Sequence, residues 1–157
     1  KLFNMNFNNQ LSKGLKIINK KISIEKDYEK ITASHDGYKK KYGYVHERSI
    51  KFIKKNNIFI GIDRLIKQKK ANNVPYGIRF HINPGIKMIK TQNSKSILLS
   101  LKNGEGWKFN SMNNELFIES GIYLGNKNKI TENQNIYIFG MTKGENQEIQ
   151  WSFEKIS

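Results

Sequence analysis

The sequence contains no cysteine. That excludes disulfide frameworks, thiolate nucleophiles and cysteine-based metal sites. Histidine is nearly as scarce: His35, His46 and His81 are the whole supply of side chains that ionise near neutral pH. They lie far apart, with only Asp36 and Glu47 as adjacent acids, so no metal-ligand spacing is present and neither metal nor cofactor is expected. Proline occurs twice, at Pro75 and Pro84, bracketing one candidate strand at loop positions where a sheet tolerates it. No apolar run reaches the length of a membrane-spanning helix, so no membrane span is expected. Phosphate-cradling loops, dinucleotide fingerprints, zinc-binding helices and nucleophile elbows are all missing.

What is present is one domain's worth of chain, 157 residues, with 37% hydrophobic and 11% aromatic side chains, enough to build a core. Lys and Arg number 28 against 13 acids, and the resulting charge of +15 favours anionic partners. Most of that charge is lysine scattered through every segment, so it permits a polyanion without identifying one. Nucleic acid rests on charge alone and is the least favoured partner. Residue 1 is Lys and no basic–apolar–small-residue leader follows it. The expectation is a processed chain or a piece of something larger, and compartment is not readable from residue 1.

A single domain over residues 1–157 is expected, with Asn-rich Lys1 to Gly14 as an N-terminal flank. From Leu15 the chain reads as short strands between turn signals, filled with Ile, Phe, Tyr, Val and Thr. The predicted strands are Leu15–Ile24, Tyr28–Ser34, Tyr44–Lys54, Ile58–Ile66, Tyr76–Ile82 and Ile86–Lys90. Ser96–Lys102, Gly106–Met112, Glu115–Tyr123, Ile130–Phe139 and Glu148–Ile156 follow. Turns fall at Asn56-Asn57, Asn103-Gly104, Asn113-Asn114 and Lys143-Gly144-Glu145-Asn146, which predicts successive hairpins and an antiparallel meander. Alternation places Ile78, Phe80 and Ile82 on one face and Arg79, His81 and Asn83 on the other. No stretch of ten or more residues keeps a helical period. The predicted fold is all-β, an antiparallel two-layer β-sandwich of ten or more short strands.

The densest chemistry lies in His35-Asp36-Gly37-Tyr38-Lys39-Lys40-Lys41-Tyr42-Gly43-Tyr44. Lys39, Lys40 and Lys41 with Tyr42 and Tyr44 form either a polyanion-binding patch or the solvated tip of a Gly-bounded β-hairpin. Aromatic and basic residues together also suit a saccharide, since sugars stack on rings and their acidic groups pair with Arg and Lys. His46 and Arg48 share one face of a strand, contacting sugar or pairing with Asp63 or Glu47. Arg79 and His81 either grip a carboxylate or join an inter-strand polar network. Trp107 and Trp151 read as core or rim anchors.

The ordered series Ala33-Ser34-His35-Asp36-Gly37-Tyr38, Gly43-Tyr44-Val45-His46-Glu47-Arg48, Asp63-Arg64-Leu65 and Arg79-Phe80-His81-Ile82-Asn83-Pro84-Gly85 resembles the C-terminal β-domain of bacterial heparinase II/III-like proteins. Asn103-Gly104-Glu105-Gly106-Trp107-Lys108-Phe109, Glu119-Ser120-Gly121-Ile122-Tyr123-Leu124-Gly125 and Trp151 continue it across nearly all of Leu15–Ile156. A departure is His46-Glu47-Arg48, where relatives tend to carry a second basic residue after the histidine. The resemblance implies a parent in which an N-terminal α/α toroid precedes the β-domain, the cleft between them cleaving a uronic-acid polysaccharide by β-elimination. It implies that catalytic Tyr and Asn or His sit on the toroid, and that a His-Ala-Asp strand and any metal-binding histidines lie upstream. No His-Ala-Asp occurs here, so no catalytic residue is expected in this chain, and His35, Tyr38, His46, Arg48, Arg79 and His81 are the candidates to face substrate. The resemblance also implies a periplasmic or cell-envelope location. The alternative function is a non-catalytic module that binds an anionic glycan through the Lys39–Tyr44 loop.

Overall fold

The computed structural model describes residues 15–68, 70–126 and 129–157. The flank expected over Lys1 to Gly14 lies outside the described residues. Among the described residues there are eleven strands, each overlapping a predicted one. They are β1 (Ile17–Ile24), β2 (Tyr28–His35), β3 (Tyr44–Ile53), β4 (Ile58–Lys67), β5 (Pro75–His81) and β6 (Lys87–Lys90). β7 (Ser96–Ser100), β8 (Gly106–Ser111), β9 (Leu116–Asn126), β10 (Lys129–Met141) and β11 (Gln147–Lys155) complete the set. A single helical turn, α1 (Lys39–Tyr42), stands where a β-hairpin tip was expected. Gly43 closes it with φ of 79°, a left-handed stop that glycine adopts without steric cost.

Every pairing is antiparallel, in an eight-stranded sheet of order β1-β2-β3-β4-β11-β8-β7-β6 and a three-stranded sheet of order β5-β10-β9. The all-β sandwich is therefore as expected, but the simple meander is not. The turns at Asn113-Asn114 and Lys143–Asn146 carry the chain from one sheet to the other, and β11 inserts between β4 and β8. Turn residues set the reversal of the chain; which sheet the next strand joins is decided by the face that strand must bury. Asn56-Asn57 and Asn103-Gly104 do join hairpin neighbours, with Asn57 at φ 51° and Gly104 at φ 88°.

Register aligns the inner face of the large sheet in rows. One row runs Ile22, Ile31, Ile50, Gly61, Trp151 and Ser111 across β1, β2, β3, β4, β11 and β8. The next runs Lys20, Ala33, Arg48, Asp63 and Ile149. Over β11 and β8 these rows are closed by Phe80 of β5, its ring 4.7 Å from Trp151 and 4.8 Å from Phe109. Ile97, Phe109, Leu116, Ile136 and Ile138 are fully buried there, each contributing roughly 1.5–3 kcal/mol of transfer free energy. Ile78 and Ile82 pack on the same core, as their alternation predicted. Over β1 and β2 the same face stays open, with Ile22, Ile24 and Ile31 exposed, Ile24 by 72%. Three strands cannot cover eight.

Gly61 lies opposite Trp151, and a Cβ there would occupy the indole ring. Gly61→Ala should cost about 1–3 kcal/mol by overpacking, read as a lower Tm in calorimetry. An unchanged Tm would show that the indole is not locked against β4.

Candidate functional site

Asp63 points from β4 onto the core face, 1% exposed. A carboxylate there must be paired, and this one is paired on every side. Its Oδ1 accepts from His46 Nε2 at 2.7 Å and from Arg48 Nε at 2.7 Å. Its Oδ2 accepts from Arg48 Nη2 at 3.0 Å and from Trp151 Nε1 at 2.8 Å. Those four bonds use the roughly four lone-pair sites a carboxylate offers. Burial pushes the Asp63 carboxyl up, but the bonds from His46, Arg48 and Trp151 outweigh it and hold the group below its ordinary value.

From this anchor the network runs outward. His46 Nδ1 lies 3.0 Å from Nε2 of His35, its cross-strand partner on β2. His35 Nδ1 accepts the Gly37 amide at 3.2 Å. The Tyr38 ring stands edge-on to His35, centroids 5.2 Å apart, and 6.3 Å from Tyr42. Burial and the neighbouring His46 ring both lower the His35 pKa, against an opposing pull from Asp36. Together His35, Tyr38, His46 and Arg48 form one wall of a cleft of about 390 Å³, which Tyr76 and Arg79 of β5 line as well. That size lies within the roughly 300–1,000 Å³ of small-molecule sites.

The remaining candidates separate. Tyr44, expected in the polyanion patch, is 1% exposed, its hydroxyl donating to the Asn72 carbonyl; it follows Gly43 into β3 and is turned inward, away from the lysines of α1, where it lines the cleft. Arg79 and His81 share the outer face of β5 but serve different contacts: Arg79 pairs with Glu119 and His81 Nδ1 bonds Asn135 Oδ1 at 3.0 Å. Both join inter-strand polar contacts, and Arg79 also lines the cleft. Trp151 is a core anchor and Trp107 is half-buried, its Nε1 donating to Glu105. Lys39, Lys40 and Lys41 are exposed on α1, with Lys41 Nζ 4.8 Å from the centre of the Tyr42 ring. The residue that organises the wall, Asp63, was foreseen only as a pairing partner. Its signal is its phase in β4: it shares the inward face with Gly61 and Leu65, where a lone carboxylate demands donors. Among the described residues no group of three or more His, Asp or Glu is placed to hold a metal ion.

Residues 8–152 match the family described as heparinase II/III-like, C-terminal, and the chain belongs to that family. It is similar in structure to the heparan sulfate lyase HepC of Pedobacter heparinus, at 17% identity and a TM-score of 0.77, over 95% of this chain and 23% of that one. It is also similar to the heparinase III product of gene BT4657, at 12% identity and a TM-score of 0.72, over 92% of this chain and 22% of that one. The chain thus spans under a quarter of the length of these lyases. No curated protein matches its sequence. Among the described residues no helix is long and apolar enough to cross a membrane.

Asp63→Asn would leave Arg48 without its counter-ion; because the Arg48 side chain is 35% exposed and can be hydrated, the cost should be about 1–3 kcal/mol, that of hydrogen bonds lost to a charged group. A denaturant titration of the variant checks this; a loss near zero would remove Asp63 from its organising role. The lowered pKa values also fix the sign of the pH dependence. His35 binds a proton less readily folded than unfolded, so stability is full above its ordinary 6.5 and declines as pH falls below it. Asp63 adds a loss of the same sign, beginning below its ordinary 3.8. Tm measured from pH 8 to 5 should therefore fall, and the His35→Gln variant should fall less steeply.

Proposed function

We propose that this chain lines the cleft of a parent lyase that cleaves an acidic, uronate-containing polysaccharide by β-elimination, and that it does not turn over substrate alone. The observation that carries the reading is the wall of His35, Tyr38, His46 and Arg48, assembled on a buried carboxylate in a chain of the heparinase II/III-like C-terminal family. Elimination needs a donor that neutralises the uronate carboxylate, a base that takes the proton from the adjacent carbon, and an acid that protonates the departing glycosidic oxygen. As the proton leaves, its electron pair forms a C=C bond and the C–O bond breaks. His35 and His46 are hydrogen-bonded to each other and onward to Gly37 and Asp63, which leaves neither free as that base. The base and acid belong to the toroid domain of the same parent, as the family resemblance implies.

The open apolar face over β1 and β2 gives that domain its seat. Ile22, Ile24 and Ile31 lie on the core side of the sheet, and a face of this kind is normally covered. A charge of +15 opposes a second copy of this chain there, whereas a preceding domain is held close by its covalent link. The isolated chain should bind the apolar dye ANS, and Ile22→Ser with Ile24→Ser should lower that signal. Undiminished dye binding would place the apolar surface elsewhere.

Incubating the chain with heparan sulfate and alginate while following ultraviolet absorbance of the unsaturated product tests the main reading. No product is expected; turnover would overturn the accessory assignment. A second reading, an anionic-glycan module, is favoured by the exposed Lys39, Lys40 and Lys41 beside the cleft. On that reading Lys39→Glu, Lys40→Glu and Lys41→Glu together abolish retention on a heparin column, and unchanged retention dismisses it.

A further inference from the structure

The cleft is lined by two arginines and two histidines, and its geometry leaves none of them an unmatched cation. Arg48 gives two nitrogens to Asp63, and Arg79 is held by Glu119. The histidines are fixed by what lies at the two ends of their chain. Ionised Asp63 can only accept and the Gly37 amide can only donate. One placement of protons satisfies all three bonds: His46 Nε2–H to Asp63, His35 Nε2–H to His46 Nδ1, and Gly37 N–H to His35 Nδ1. A further proton on either ring would set two donors against each other. Both imidazoles are neutral in this arrangement, so the cleft has no unmatched cation on this wall.

Tyr38 makes the boundary. It is 45% exposed and lines the neutral cleft, and it also lines a shallower groove shared with Lys39 and Lys40. Among the described residues, the one acid lining that second groove is Asp36, which accepts the Lys16 amide at 2.8 Å, and neither Lys39 nor Lys40 pairs with a carboxylate there. Two grooves of different charge thus meet at one aromatic ring. Resting on the saccharide reading above, we propose that the cleft takes an uncharged pyranose unit stacked on Tyr38, while the neighbouring uronate lies outside in the groove with Lys39 and Lys40. The acidic sugar is bound at the rim and the neutral one is bound in the cleft. Pyranose rings present an apolar face that suits a tyrosine ring, and a carboxylate placed against neutral imidazoles and guanidinium groups already paired with Asp63 and Glu119 would be desolvated without an unmatched counter-ion.

The test is titration of the 157-residue chain by isothermal calorimetry with two probes. One is a hexasaccharide alternating uronate and uncharged hexose; the other is its carboxyl-reduced, uncharged counterpart. The expected result is that the uncharged probe binds with an affinity indifferent to salt between roughly 50 and 500 mM, whereas binding of the acidic probe weakens with salt. Tyr38→Ala should weaken both by about ten-fold or more. Lys39→Gln with Lys40→Gln should weaken the acidic probe only. Amide spectra of each variant separate lost contacts from lost folding. If only the acidic probe binds, the neutral cleft is wrong while the saccharide reading stands. If neither binds, both are overturned.

Discussion

Asp63 is a carboxylate taken out of water at the centre of the larger sheet, and the surrounding residues are arranged as its donors. Arg48 from β3, Trp151 from β11 and His46 from β3 converge on it from both sides of β4. The same indole closes the core against Phe80 and Phe109, so one side chain belongs to both the packing and the polar network. Arg48 lies 5.7 Å from the Phe80 and Trp151 rings, where the guanidinium covers apolar surface while matching the buried charge. A polar network this deep is stable only when every member is satisfied. Its consequence is rigidity: the cleft wall inherits its geometry from a core that cannot shift without leaving a charge unpaired.

That rigidity explains how a chain with so few groups that titrate near neutral pH can still present an ordered surface. Two of its three histidines stand in one row, and both are immobilised by the bonds they make. Their arrangement fits recognition better than proton transfer, because each ring nitrogen already has a partner. In an elimination reaction the proton must travel between substrate and protein, and the groups that move it must be free to gain and lose it.

Much of the fold was readable because β-structure writes its period directly into sequence. The Ile78, Phe80 and Ile82 alternation marked the inward face of β5, and Asn57 and Gly104 marked real reversals. Sheet membership was hidden. Asn113-Asn114 and Lys143–Asn146 resemble hairpin turns locally, yet each leads to the opposite layer, a choice made by long-range packing. The helical turn at Lys39–Tyr42 was too short to show a period, although Gly43 after a basic run is a recognisable helix stop. Of the site, His35, Tyr38, His46 and Arg48 were identifiable as chemistry-bearing and are brought together in space. The role of Asp63 as their hub required the register of β3 against β4, which no single strand reveals. A tyrosine beside a lysine run looks like surface, while the place of Tyr44 directly after Gly43 turns it inward, where it lines the cleft.

The organising role of Asp63 can be read most directly from the imidazole nitrogens. Two-dimensional ¹⁵N NMR of the folded chain at neutral to mildly basic pH should show His35 and His46 both as neutral Nε2–H tautomers. The Asp63→Asn variant should lose the His46 signature first, because the acceptor that orients its ring is gone. Imidazolium signals at both rings, or Nδ1–H tautomers unaffected by Asp63→Asn, would contradict the account.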